Sequence, residues 1–206
     1  MRTAIALCAV LALAGVASAE FITGGDFESA PIINDVDGAG GSTYTAGTQS
    51  NGVWYGGVKW TVQAGGPAGS TMYADEGGWS DMKLMQSFAT PAVGTVLTIS
   101  GDYIASASYQ KRIHVVGLTD GETVGLFGGG SIGGVELAQE GLSTASDWSS
   151  FSFDATVDAA YDEVAVVFVI SGDGGVRGVD NVSVVPEPAT MSLLGLGALA
   201  LIRRRR

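Results

Sequence analysis

The 206-residue chain has a single cysteine, Cys8, and a single histidine, His114. One thiol excludes an intrachain disulfide. One histidine, with no Ser/Asp arrangement spaced around it, gives no sign of a nucleophilic triad. It alternates with Ile113 and Val115, so it reads as a surface or edge residue of a strand. Positive charge is scarce: 10 Lys and Arg stand against 21 Asp and Glu, a net charge of −11. That balance argues against binding nucleic acid or anionic membrane surfaces, both of which favour basic patches. Long helical periods are missing from the interior, and no internal repeat is present to build an extended regular face. Glycine runs such as Gly128-Gly129-Gly130 lack the lysine and the strand–loop–helix setting of a phosphate loop.

What is present is most distinct at the two ends. Arg2 precedes an apolar run from Ala4 to Val16, closed by Ala17-Ser18-Ala19 and followed by Glu20. A charged start, a short apolar helix and a small-residue site at Ala17 and Ala19 predict a secretory signal peptide over 1–19, handed to the secretion machinery. Cleavage after Ala19 removes Cys8, leaving a mature domain without a thiol in a compartment that permits disulfides. At the other end, Pro186-Glu187-Pro188 leads into an apolar stretch, 189–202, and then Arg203, Arg204, Arg205 and Arg206. Pro188 suits the first turn of a helix, where its missing N–H costs nothing. The stretch is about 21 Å long as a helix, against a bilayer core of about 30 Å. The four arginines are expected to stay cytoplasmic, holding 20–185 outside. A weak span with a strong stop suits a temporary membrane anchor.

The Pro-Glu-Pro triplet, the short Leu/Gly/Ala helix and the terminal Arg cluster resemble the PEP-CTERM sorting tails of bacterial exported proteins, over about 186–206. The tail is also labelled the C-terminal domain of ice-binding proteins, a label for the tail and not an activity. The resemblance implies recognition at Pro186-Glu187-Pro188 by an exosortase-type membrane transpeptidase. The chain would then pass from the inner membrane to the cell surface or an extracellular polysaccharide matrix.

Between the ends, 20–185 is the size of one domain with a real core. It keeps five basic against twenty acidic residues, a net charge of −15, which suits solubility, cation binding or contact with neutral polymers. Trp, Phe, Tyr and Val recur throughout, unlike a disordered chain. Strands are predicted where apolar residues alternate over 93–104, 113–118 and 151–157. The continuous apolar run Val164 to Ile170 predicts a central buried strand, and 176–185 a last one after the Gly-Asp-Gly-Gly turn. The expected fold is all-β, an antiparallel β-sandwich of jelly-roll type.

Gly24-Gly25-Asp26-Phe27-Glu28-Ser29 is similar to the first strand of jelly rolls of the galactose-binding and carbohydrate-binding-module type. Trp60-Thr61-Val62, the strand from Leu84 to Thr90, Gly94 with 97–99, and Gly178 to Val184 follow in the matching order. The Gly-rich 36–57 and the insertion-like 125–147 depart from that pattern. In many such domains a structural calcium joins the first and last strands. The resemblance nominates Glu28 and Asp180 as its carboxylates, helped by Asp26, with six to eight oxygens needed in all. Asp35-Val36-Asp37-Gly38 lacks the remaining spacing of a calcium loop and reads as a turn.

A sugar site needs exposed rings beside polar groups. Trp54, Tyr55, Tyr73 and Trp79 stand in Gly-rich, loop-like sequence and are the candidates, while Trp60 and Trp148 read as core. Catalysis has little to rest on. Asp75-Glu76 and Asp162-Glu163 supply carboxylates, but no spacing singles out an acid and a base. The sequence therefore points to an exported, non-catalytic surface or matrix protein. A carbohydrate-binding module for exopolysaccharide is the alternative, and a glycan hydrolase a more distant one.

Overall fold

A computed structural model describes residues 20–34, 43–57, 60–67, 72–75, 83–106, 110–127, 130–171 and 177–187. The expected signal segment with Ala17 and Ala19, the 35–38 turn, Trp79, Pro188, the 189–202 helix and Arg203 to Arg206 lie outside them. The described residues form thirteen strands and no helix, so none of them makes a helix able to cross a membrane. In chain order the strands are β1 (Ile32–Ile33), β2 (Thr43–Thr45), β3 (Trp54–Gly56), β4 (Thr61–Ala64), β5 (Met72–Asp75), β6 (Lys83–Ala89) and β7 (Val96–Ala105). There follow β8 (Gln110–Leu118), β9 (Thr123–Gly125), β10 (Val135–Gly141), β11 (Ala145–Thr156), β12 (Glu163–Ser171) and β13 (Arg177–Pro186).

One sheet runs β1-β3-β6-β12-β8-β10, the second runs β11-β7-β13-β5-β4, and β2 with β9 makes a separate two-stranded ribbon. Every pairing is antiparallel except β1 with β3. The fold is thus the expected all-β sandwich, and the predicted strands appear as β7, β8, β11, β12 and β13.

The run from Val164 to Ile170 explains the layering. Strand alternation sends Val164, Val166, Phe168 and Ile170 into the core between the sheets. Ala165, Val167 and Val169 point the other way and are buried too, against Tyr44, Tyr55, Met85, Leu118, Val124 and Leu126. The ribbon of β2 and β9 covers this outer face of the six-stranded sheet. A strand covered on both faces needs apolar residues at every position, which is why the sequence does not alternate there. Of the two segments that depart from the jelly-roll pattern, 36–57 contributes β2 to this cover and 125–147 contributes Leu126 and Ile132.

The first residues of the domain are bolted to the last strand and the core. Phe21 N–H donates to the Val184 carbonyl at 2.8 Å and Val182 N–H to the Gly25 carbonyl at 2.9 Å. A side chain at Gly25 could not be accommodated, since a Cβ there would lie 1.9 Å from the Val182 oxygen. Trp60 is fully buried, as expected. Trp148 is only half-buried, in the stretch where the register of β11 on β7 shifts between Ala145 and Ser149.

Candidate functional site

The β2–β9 ribbon covers only part of the outer face. Beyond its end lies an open cleft of about 330 Å³, within the size range of small-molecule sites. Alternation along β8 places Arg112, His114 and Val116 on this face, while Ile113 and Val115 enter the core. Pairing then fixes their neighbours. Val169 of β12 is the register partner of both Arg112 on β8 and Lys83 on β6. The three form one row across neighbouring strands, an apolar residue between two cations. One row further, His114 pairs with Val167.

The wall opposite comes from residues 130–136. Gly133 N–H donates to the Thr123 carbonyl at 2.9 Å, and Ile132 bridges to Val124, tying this segment to the ribbon. Gly134 has a φ of +83°, and a Cβ there would lie 2.4 Å from the Gly117 oxygen, so only glycine lets the wall close onto β8. Glu136 faces the cleft and its Oε2 lies 2.7 Å from His114 Nδ1. The carboxylate accepts, so Nδ1 carries the proton, and a neutral imidazole then presents Nε2 as an acceptor. His114 side-chain exposure is 12% and that of Glu136 is 53%. The partner that the sequence did not reveal for His114 is therefore Glu136, brought in by the β8–β10 pairing. Gln110 adds an amide at the cleft mouth.

Two of the four proposed sugar-binding rings are corrected. Trp54 is 1% and Tyr55 4% exposed, so neither offers a face to a ligand. Both belong to strand β3, not to a loop. Trp54 packs tilted against Phe27 at 4.9 Å between ring centres and donates Nε1–H to the Thr23 and Gly24 carbonyls at 3.1 and 3.0 Å. Tyr55 packs under the ribbon, 5.4 Å from Tyr44. Tyr73 lies on β5, paired with Gln63. An exposed ring that sequence reasoning passed over is Phe127, 57% exposed, on the loop whose Gly130 lines the cleft.

Beside the cleft, under the ribbon, lies a buried polar cluster. The Tyr44 hydroxyl donates to Glu163 and sits 2.7 Å from the Ser87 hydroxyl. Glu163 also accepts from Gly47 N–H at 3.1 Å. Burial first, and the neighbouring carboxylate second, push the Tyr44 hydroxyl pKa well above its ordinary value. These groups pin the ribbon down and face no open space. Of the Asp162-Glu163 pair, Asp162 accepts from Asp120 N–H at 2.8 Å, so the two carboxylates serve different loops.

The carboxylates nominated for calcium are differently placed. Asp26 and Glu28 are exposed, and Asp26 accepts from Glu28 N–H at 3.4 Å. Asp180 is fully buried on β13 and accepts from Asn181 N–H at 2.7 Å. A hollow of about 490 Å³ at the junction of the first and last segments is lined by Asp26 and Glu20 but by neither Glu28 nor Asp180. Among the described residues, no three His, Cys, Asp or Glu side chains converge as a metal set. The junction they were to brace is held by the backbone bonds of Phe21 and Val182.

Residues 184–206 match the PEP-CTERM protein-sorting motif, so the chain carries an export sorting signal. Its start is described: Pro186 pairs with Leu97, and Glu187 N–H donates to the Val96 carbonyl at 2.8 Å. Among solved structures, a putative sugar binding protein from Bacteroides thetaiotaomicron superposes with a TM-score of 0.54 at 10% identity, over 82% of this chain and 100% of that one. A CBM4 structure gives a TM-score of 0.49 at 19% identity, over 81% and 99% of the two chains. TmCBM61 in complex with β-1,4-galactotriose gives 0.49 at 12% identity, over 82% and 100%. At 10% identity, the likeness to the first of these is one of fold alone. No curated protein sequence matches the chain.

Proposed function

We propose that this is an exported, non-catalytic polysaccharide-binding module, sorted by an exosortase-type transpeptidase to the cell surface or extracellular matrix. The observation that carries the reading is the open cleft on the outer face of the six-stranded sheet. Sugars offer many hydroxyls that donate and accept, together with weakly apolar ring faces. The cleft offers a matching mixture: Arg112 donates, His114 Nε2 and Glu136 accept, Gln110 does both, and Val116 and Val169 make an apolar floor.

The non-catalytic part rests on what surrounds the pair of His114 and Glu136. His114 and Glu136 are hydrogen-bonded, but glycoside hydrolysis uses a pair of carboxylates, and Glu136 is the one carboxylate of the described lining. Elsewhere, Glu163 is engaged by Tyr44 and Gly47 N–H, and Asp162 by Asp120 N–H.

Affinity electrophoresis of the full-length chain, in a detergent free of sugar, through gels containing soluble polysaccharides tests this. Retardation by at least one glycan, weakened in His114→Ala and with no new reducing ends formed, is the expected result. Unretarded migration through every glycan would remove the reading, and release of reducing ends would move the protein to the hydrolases.

A further inference from the structure

The sorting motif and the sandwich overlap. The match to the motif begins at residue 184, whereas β13 runs on to Pro186. Pro186 is the register partner of Leu97, and Glu187 N–H donates to the Val96 carbonyl at 2.8 Å. The first two residues of the Pro-Glu-Pro triplet are therefore laid along β7, with no linker between domain and motif. We infer that the end of β13 gates processing of the tail: the transpeptidase takes the triplet only after residues 185–187 have peeled from β7. This rests on the tail being processed as proposed above.

Access requires the peeling. An enzyme that reads an extended peptide binds its backbone groups as well as its side chains. Glu187 N–H cannot donate to such a site while it donates to Val96. The strand is also flanked on its other side, where Phe21 N–H donates to the Val184 carbonyl at 2.8 Å. The cut moves one acyl group from the amine of the departing tail to an acceptor amine or water, whose proton passes to the tail's amine. A site that performs it must close around the chain to align the reacting atoms.

Burial sets how far the strand can peel. Glu187 is exposed, Pro186 and Val185 are half-buried, and Pro186 has no N–H to give to the ladder, so this end frays at low cost. Val184 is fully buried, and its carbonyl holds Phe21, whose ring stacks on Phe88 at 5.1 Å. Peeling thus stops at residue 185, and the extended chain it releases is about 10 Å long. The gate is the opening of one strand end, and the sandwich stays folded behind it.

The test adds the full-length chain, folded in detergent, to membranes of the producing cell and follows the fraction cut by intact mass. A flexible Gly-Ser insert between Val185 and Pro186 leaves the triplet unchanged and moves it off the sheet. The insert is expected to be cut about threefold to tenfold faster than the parent, the worth of about one terminal hydrogen bond. Thr98→Cys with Val185→Cys, in a Cys8→Ser background, joins register partners within disulfide reach. The oxidised pair is expected to be cut more slowly than the parent, and reduction to restore the rate of the parent in the same reductant. Oxidation changes neither length nor bulk, so this reversal reads peeling and not crowding. An insert cut no faster than the parent, or an oxidised pair cut as fast as its reduced form, would overturn the gate and keep processing of the tail. No cut in any chain, the insert included, would overturn both.

Discussion

Arg112 and Lys83 stand on either side of Val169, one row on three adjacent strands, although 29 residues separate the two in sequence. Strand spacing of about 4.8 Å sets their backbones about 10 Å apart. The row exists because β12 is central, with β6 on one side and β8 on the other, and the ribbon stops short of it.

Gln86 is fully buried and holds the incoming chain by both amide atoms. Its Oε1 accepts from Thr23 N–H at 2.7 Å and its Nε2 donates to the Thr23 carbonyl at 2.9 Å. Gln86→Leu leaves the Thr23 N–H without its partner while the Thr23 carbonyl keeps Trp54 Nε1–H, at a cost of about 1–3 kcal/mol. Urea unfolding is expected to show the midpoint shift with little change in slope.

Gly25→Ala tests the same junction from the other side. A Cβ 1.9 Å from the Val182 oxygen cannot be absorbed by a rotamer change, because the obstacle is backbone. The first segment is expected to detach, with limited proteolysis cutting near residues 20–30 in the variant and not in the parent. Equal resistance would show that the segment docks differently.

Alkaline pH reports on the ribbon. In the fold the Tyr44 hydroxyl pKa is raised above the ordinary value of about 10 by burial and by Glu163. A raised folded value means its stabilisation is complete below pH 10 and is lost as pH climbs toward the folded value. Stability of the parent is expected to fall above pH 10, and Tyr44→Phe to fall less steeply. Tyr55 is also raised by burial, so some slope persists. Identical slopes would place Tyr44 in a more open setting.

Much of the sandwich was legible because its strands carry their own pattern. β7 and β11 alternate, and β12 is apolar throughout. The cleft was not legible, since it depends on which residue of β6 pairs with which residue of β12, and no single strand records that. Trp54 and Tyr55 misled because flanking glycines suggested a loop, whereas they sit on a short strand covered on both faces. Net charge did not reveal the row of Lys83, Val169 and Arg112 for a related reason: composition counts charges without placing them.

The calcium expectation has its own test. Asp26 and Glu28 are exposed while Asp180 is buried among β13 neighbours, so exchange of calcium for EGTA is expected to leave the melting temperature unchanged. A rise of about 2–4 °C or more with calcium, equivalent to about 1 kcal/mol, would return a metal to the junction.

The sorting tail makes a prediction on mass. Glu187 is tied to Val96 where β13 ends beside the start of β7, so processing there must act next to folded structure. Intact mass of surface-recovered protein is expected to show loss of residues beyond the Pro-Glu-Pro triplet. Mature protein retaining 189–206 would contradict processing of the tail.

The central claim, a polysaccharide held in the cleft, is tested most directly by hydrogen–deuterium exchange of the full-length chain with and without the producing cell's own extracellular polysaccharide. The account predicts slowed exchange confined to residues 130–136 and the facing part of β8. Unchanged exchange there, or protection centred on the five-stranded sheet, would contradict it.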